Sequence, residues 1–282
     1  MWIDVALDQF SATKMRPKVW IAVDVLRASS VMTTFLAEGG VKLYMTGNVQ
    51  EAYTLQREMN LLAMGERFGR QIEGFEFDNS PMGLLRAKDT LAGRSGVHCS
   101  TNGTKLVKLL MGFGGLVIGG CFLNLSAVTL MAVRRLNEGS VPAPDWASLQ
   151  EEQSDGGVSV DGDGIVVACA GNATLPLLDD TYLAGALVDR LAELLPQAKL
   201  RDGARISQAV RKALPVEEAF LNSNSGIVLT GLGLHDDIAF CARQDVYSLV
   251  PEASSEGDLV VMKAAVNGGR GARAEEVKAG QS

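Results

Sequence analysis

Histidine is almost missing from this 282-residue chain, which has only His98 and His235. A His-rich zinc site is thereby unlikely, and a metal, if one is used, would be a hard cation held by carboxylates. Four cysteines (Cys99, Cys121, Cys169, Cys241) lie far apart, form no CxxC pair and sit in apolar contexts. They read as reduced thiols packed in or near the core. Positive charge is also in deficit, with 26 Lys and Arg against 33 Asp and Glu and a net charge of −7. That argues against nucleic acid as the main partner, and basic residues must be concentrated locally if the substrate is anionic. The opening Met1-Trp2-Ile3-Asp4 has no basic region followed by an apolar core, so no signal peptide is expected. One uncharged run, Leu109 to Val133, has the length of a bilayer span. Gly112, Gly114, Gly115, Gly119, Gly120 and Asn124 interrupt it. It therefore reads as a helix end, a short strand, a glycine turn and a second helix, with no membrane partner. Neither a GxxxxGK[ST] loop nor a glycine-rich dinucleotide fingerprint is present.

What is present is a globular composition, 47% hydrophobic and 21% charged, in a chain long enough to bury a sizeable core. Strand-like and helix-like stretches alternate, which predicts an α/β fold with a mainly parallel sheet and helices on its faces. Predicted strands are 19–25, 42–46, 61–64, 97–100, 116–118, 165–170, 246–250 and 259–262. Predicted helices cover 29–38, 48–59, 104–111, 127–137, 179–195 and 201–214. Residues 139–164, rich in Pro, Gly, Asp and Glu, read as an acidic loop inserted in one domain spanning 1–266. The segment 267–282 reads as a flexible C-terminal tail.

Polar residues cluster at strand ends, where open α/β sheets bind ligands. Asp24 and Arg27 follow the first predicted strand. The pair suits magnesium and phosphate, or else Asp24 caps the next helix and Arg27 is its ion-pair partner. Ser100-Thr101-Asn102-Gly103-Thr104 opens a helix, where free N–H groups attract anions, or is an ordinary cap. The loop 65–81 carries Glu66, Arg67, Glu73 and Asn79; either glutamate would suit a metal or a water, and the arginine an anion. Asn124 follows the fifth strand. Cys169 lacks the arginine six positions on that a thiol phosphatase needs, since residue 175 is Leu, and reads as a buried strand residue. Asp179-Asp180 either cap a helix or serve the site, while Asp236-Asp237 read as surface or cap.

Taken together, VDVLRASS (23–30), GERFGRQIEGFEFDNSP (65–81), STNGT (100–104), GGCFLNLSAV (119–128) and VACAG (167–171) resemble the 2-phosphosulfolactate phosphatase family, with a weaker match at 232–251. The resemblance implies a three-layer α/β/α fold with a mixed sheet, Mg²⁺ dependence and a cytoplasmic location. It also implies a phosphoric monoester hydrolase that converts 2-phospho-3-sulfolactate to 3-sulfolactate and phosphate, a step of coenzyme M synthesis. Carried onto this chain, it makes Asp24, Glu66 and Glu73 the catalytic candidates, Asp24 and Glu66 also holding Mg²⁺. Arg27, Arg67, Asn79, Ser100, Thr101, Asn102, Gly103, Thr104 and Asn124 become the substrate-binding candidates. A metal-activated water would attack phosphorus in line; the DxDx[TV] pattern of aspartyl-phosphate enzymes is absent. One departure is Gly171-Asn172-Ala173-Thr174-Leu175-Pro176, which lacks an arginine expected there. It keeps open a catalytically lapsed binding or scaffold protein on the same fold. The oligomeric state, a homo-oligomer included, is not fixed by the sequence.

Overall fold

A computed structural model describes residues 1–138, 160–172 and 174–265. The chain opens with β1 (Trp2–Ala6), α1 (Gln9–Ala12), β2 (Met15–Val23), α2 (Ala28–Ala37), β3 (Lys42–Thr46) and α3 (Val49–Met59). There follow β4 (Leu62–Arg67), β5 (Arg70–Gln71), α4 (Pro81–Arg86), β6 (Gly96–Cys99), α5 (Gly103–Met111), β7 (Leu116–Gly120) and α6 (Leu125–Asn137). Next come β8 (Val160–Cys169), α7 (Leu178–Leu194), β9 (Lys199–Leu200) and α8 (Asp202–Ala213). Three short helices, α9 (Val216–Leu221), α10 (Asn224–Gly231) and α11 (His235–Cys241), lead to β10 (Pro251–Glu256) and β11 (Leu259–Ala264).

Period-two alternation explains the three layers. On β2, Val19, Ile21 and Val23 join Val128 and Met131 of α6 and Leu183 and Leu187 of α7 in one core. Trp20 and Ala22 face the other way, onto Val31 and Phe35 of α2 and Leu106 and Leu110 of α5. β8 repeats the pattern, with Ile165 and Val167 on one face and Val166 and Ala168 on the other. At roughly 1.5–3 kcal/mol for each large apolar side chain buried, these strands are the main source of stability. The four cysteines are free and buried, as their contexts predict.

The strand order is β5-β4-β6-β3-β11-β10-β7-β2-β8-β1-β9. Parallel pairing unites β4, β6 and β3 in one block and β7, β2, β8, β1 and β9 in another. Between them lies the β10–β11 hairpin, antiparallel to both neighbours. Three antiparallel steps in succession reverse direction, so the two parallel blocks run in opposite senses. The ends of β4 and β6 nonetheless reach the end of β2, because Thr101 meets Glu66 and Gly103 meets Asp24. Six strand-to-strand steps separate β4 from β2, and at about 20–25° each the accumulated twist turns one block far round relative to the other.

Three sequence expectations also shift. β1 is missed, because Asp4 interrupts its apolar run; the carboxylate is buried and accepts hydrogen bonds from Val5 N and from Ala204 N at the start of α8. The strand expected at 246–250 lies at 251–256 instead, with Pro251 as its first residue, where a missing N–H is tolerated. The inserted loop ends sooner than expected, since 160–164 belong to β8. Its earlier part, like the tail 267–282, lies outside the described residues. Among the described residues no helix is long and apolar enough to cross a membrane, and the uncharged run 109–133 supplies parts of α5 and α6 with β7 between them.

Candidate active site

Asp24 stands just past the end of β2 with part of its surface exposed. Its Oδ1 accepts from the N–H of Ala28, the first residue of α2, at 3.2 Å. The N–H of Gly103, first residue of α5, also bonds it. A Cβ at position 103 would lie 2.6 Å from Asp24 Oδ2 and 2.6 Å from Ala28 Cβ, so only glycine lets the two helix starts meet here. A third helix start is close by. Asp180, in the first turn of α7, accepts from Val25 N at 2.9 Å and from Gly171 N at 3.1 Å, tying α7 to the ends of β2 and β8. Three positive helix ends thus converge on one cluster of carboxylates.

Those carboxylates repel one another. Burial, with the nearby Glu66, pushes the Asp24 carboxyl up to about 6. Burial and Asp24 push Asp179 up to about 7, and burial with both neighbours holds Asp180 well above the usual carboxylate range. Asp179 is 1% exposed, and its Oδ1 has no hydrogen-bond partner. Glu66 comes from the other block and is fully engaged, with Oε1 accepting from Thr101 N at 2.8 Å and Oε2 from Gly69 N at 2.9 Å. Thr101, Asn102 and Gly103 therefore bridge the two blocks, Glu66 at one end and Asp24 at the other.

The other expected residues divide. Arg67 is partly exposed and donates to Glu66 O, Gly47 O and Cys99 Sγ. Asn79 Oδ1 pairs with Nε2 of the buried His98 at 2.8 Å. Ser100 Oγ accepts from Thr104 N, and Thr104 Oγ1 donates to Ser100 O, which is a closed local cap. Asn102 is partly exposed and its side chain makes no capping bond, so it is the free polar group of the turn.

Two candidates are not brought to the cluster. Asn124 is wholly buried and spent on backbone: Oδ1 accepts from Cys121 N, and Nδ2 donates to Gly119 O and Leu249 O. Glu73 is exposed, and its carbonyl accepts from Tyr53 Oη of α3. Cys169 is buried, and burial raises its thiol well above the usual range, as suits a packed strand residue. Arg27 is not an ion-pair partner of Asp24. It is 2% exposed and pairs with Asp237 at 2.6 Å, so Asp237 is neither surface nor a mere cap. His98, its ring lowered to about 4 by burial, was likewise passed over by sequence reasoning. The signals were faint: a lone histidine in an apolar strand, and an Asp-Asp pair 210 residues from its arginine.

Helix starts converging on carboxylates in a three-layer α/β frame, set beside the known relatives, define an enzyme of the phosphatase class. A probable 2-phosphosulfolactate phosphatase of Carboxydothermus hydrogenoformans is 30% identical over 263 residues, covering 93% of this chain and 97% of its own. Probable 2-phosphosulfolactate phosphatases of Pseudothermotoga lettingae (31% identity; 83% of this chain, 88% of the relative) and Thermus thermophilus (30%; 88% and 94%) are similar. The profile of the family described as 2-phosphosulpholactate phosphatase matches residues 6–143 and 150–256. The chain belongs to the 2-phosphosulpholactate phosphatase family.

Proposed function

We propose that this protein hydrolyses 2-phospho-3-sulfolactate to 3-sulfolactate and phosphate, in the cytoplasm and with Mg²⁺. The names of its relatives support the substrate. The observation that carries the chemistry is the meeting of α2, α5 and α7 starts around Asp24 and the unpartnered, buried Asp179 Oδ1.

Among the described residues no group of three or more His, Cys, Asp and Glu forms a ready cage for a metal ion. Magnesium does not need one, since it takes one or two carboxylates and completes its shell with water and substrate oxygens. Hard oxygen donors, carboxyls of Asp24 and Asp179 raised by burial and by neighbouring acids, and an orphaned carboxylate oxygen fit such an ion. Asp24 would hold it with Asp179, and Glu66 at the second position would steer the loop that faces it. The ion would supply Lewis acidity at the phosphoryl group.

The chain's own residues do the rest. With the Thr101 and Gly103 amides already held by Glu66 and Asp24, the three helix ends and the partly exposed Asn102 side chain favour the phosphoryl oxygens, and Arg27 and Arg67 offset their charge. Water attacks phosphorus, the ester P–O bond breaks, and the alkoxide leaves to take up a proton. Glu73 and Asn124 have no part in this reading. The test is phosphate release from 2-phospho-3-sulfolactate and a panel of small phosphoesters, with Mg²⁺ or with EDTA. Metal-dependent release, fastest with the sulfonate substrate, is the expected result. No release from folded protein with Mg²⁺ present would leave a binding protein on the fold.

A further inference from the structure

Arg27 closes the loop between β2 and α2, three residues after Asp24. Its Nη1 donates to Asp237 Oδ2 of α11 at 2.6 Å, and Asp78 Oδ2 stands further off at 3.7 Å. Nη2 donates to Gly69 O at 3.3 Å, in the loop that Glu66 also holds. Asp237 Oδ1 in turn accepts from Ser80 Oγ at 2.7 Å and Met82 N at 3.2 Å. One carboxylate thus joins α11, the start of α4 and the arginine, with the two paired side chains 1% and 2% exposed.

Stability alone is a poor reason for such a pair. Desolvating two charges costs about as much as their attraction returns, and apolar replacements are often no less stable. Direction is what the pair supplies: a flexible guanidinium three residues after Asp24 is held between α11 and the Gly69 loop that Glu66 also binds. We propose that Asp237 is a positioning residue, which acts through Arg27 and aims its guanidinium at the anionic group of the substrate. This rests on the phosphatase reading above, in which Arg27 offsets phosphoryl charge.

The test uses the full chain as wild type, Asp237→Asn, Arg27→Met and the double variant, each checked for fold by circular dichroism. Turnover of 2-phospho-3-sulfolactate and calorimetric affinity for inorganic phosphate are both measured. Asp237→Asn is expected to raise KM and weaken phosphate binding about 10- to 100-fold, with a smaller change in kcat. The double variant is expected to be no worse than Arg27→Met alone, because coupled residues are not additive. Wild-type KM and phosphate affinity in Asp237→Asn, or additive losses, would overturn the proposal while the phosphatase stands. Wild type that neither turns over nor binds phosphate would overturn both. If Asp237→Asn does not fold, Ser80→Ala loosens the same carboxylate by one bond and is expected to weaken phosphate binding about threefold. Unchanged affinity there would also overturn it.

Discussion

The two parallel blocks of the sheet treat their buried polar groups in opposite ways. The block of β7, β2, β8, β1 and β9 brings Asp24, Asp179 and Asp180 together, and burial raises all three carboxyls. The block of β5, β4, β6 and β3 brings Glu66, both of whose oxygens are met by backbone N–H groups, and His98, whose ring burial keeps neutral. One side holds charge under tension that a cation would relieve; on the other Glu66 is satisfied, while His98 stays neutral although its Nδ1 has no partner. Buried acids with raised carboxyls, close to one another, mark a candidate ligand site.

The largest expected effect tests the strained side. Asp24→Asn should cut phosphate release by about 10²–10³-fold, with Tm unchanged or raised. Asp179→Asn should separate function from stability. The wild-type carboxyl is raised from 3.8 to about 7, so the native state binds the proton more tightly than the unfolded chain. Its contribution is full below pH 3.8 and is lost as pH rises towards 7. Removing the charge should raise the Tm of the metal-free protein at pH 7.5 by several degrees. It should also abolish the Tm increase that Mg²⁺ gives the wild type. A lower Tm in metal-free Asp179→Asn would show that the acids do not strain the fold.

His98 titrates with the opposite sign. Its ring is lowered from 6.5 to about 4, so its contribution is full above 6.5 and is lost as pH falls towards 4. On going from pH 7 to 4.5 in urea unfolding, wild type should fare worse than His98→Gln by about 2 kcal/mol, the opposite gain from the raised carboxyls being common to both. Smallest is Glu73→Gln, expected to leave kcat and KM within about twofold because an exposed charge away from the cluster contributes little.

Much of the fold was legible because β2, β8 and the amphipathic helices obey their periods. Leu183, Leu187 and Leu191 are buried at the three-to-four-residue spacing of α7, and Leu195 continues the stripe. The sense of the two blocks was not legible, since it depends on where the late hairpin inserts. Among the site residues, Asp24 and Glu66 share a cluster as their positions after strands suggest. Asn124 follows a strand too, yet its amide is used up by three backbone groups that sequence cannot display. The Arg27–Asp237 pair was hidden for a related reason: its partners meet only when α11 packs beside α4.

The position of β10 and β11 has a consequence for synthesis. These strands lie at 251–264, yet they fill the middle of the sheet. Until the ribosome has released them, β3 and β7 present open hydrogen-bonding edges, the kind that invite pairing with other chains. The nascent protein should therefore need shielding until this hairpin has left the ribosome. Ribosome-stalled chains ending at Val250 should be cut readily by protease, and chains long enough to free Ala264 should resist; equal resistance would mean that the two blocks close without the hairpin.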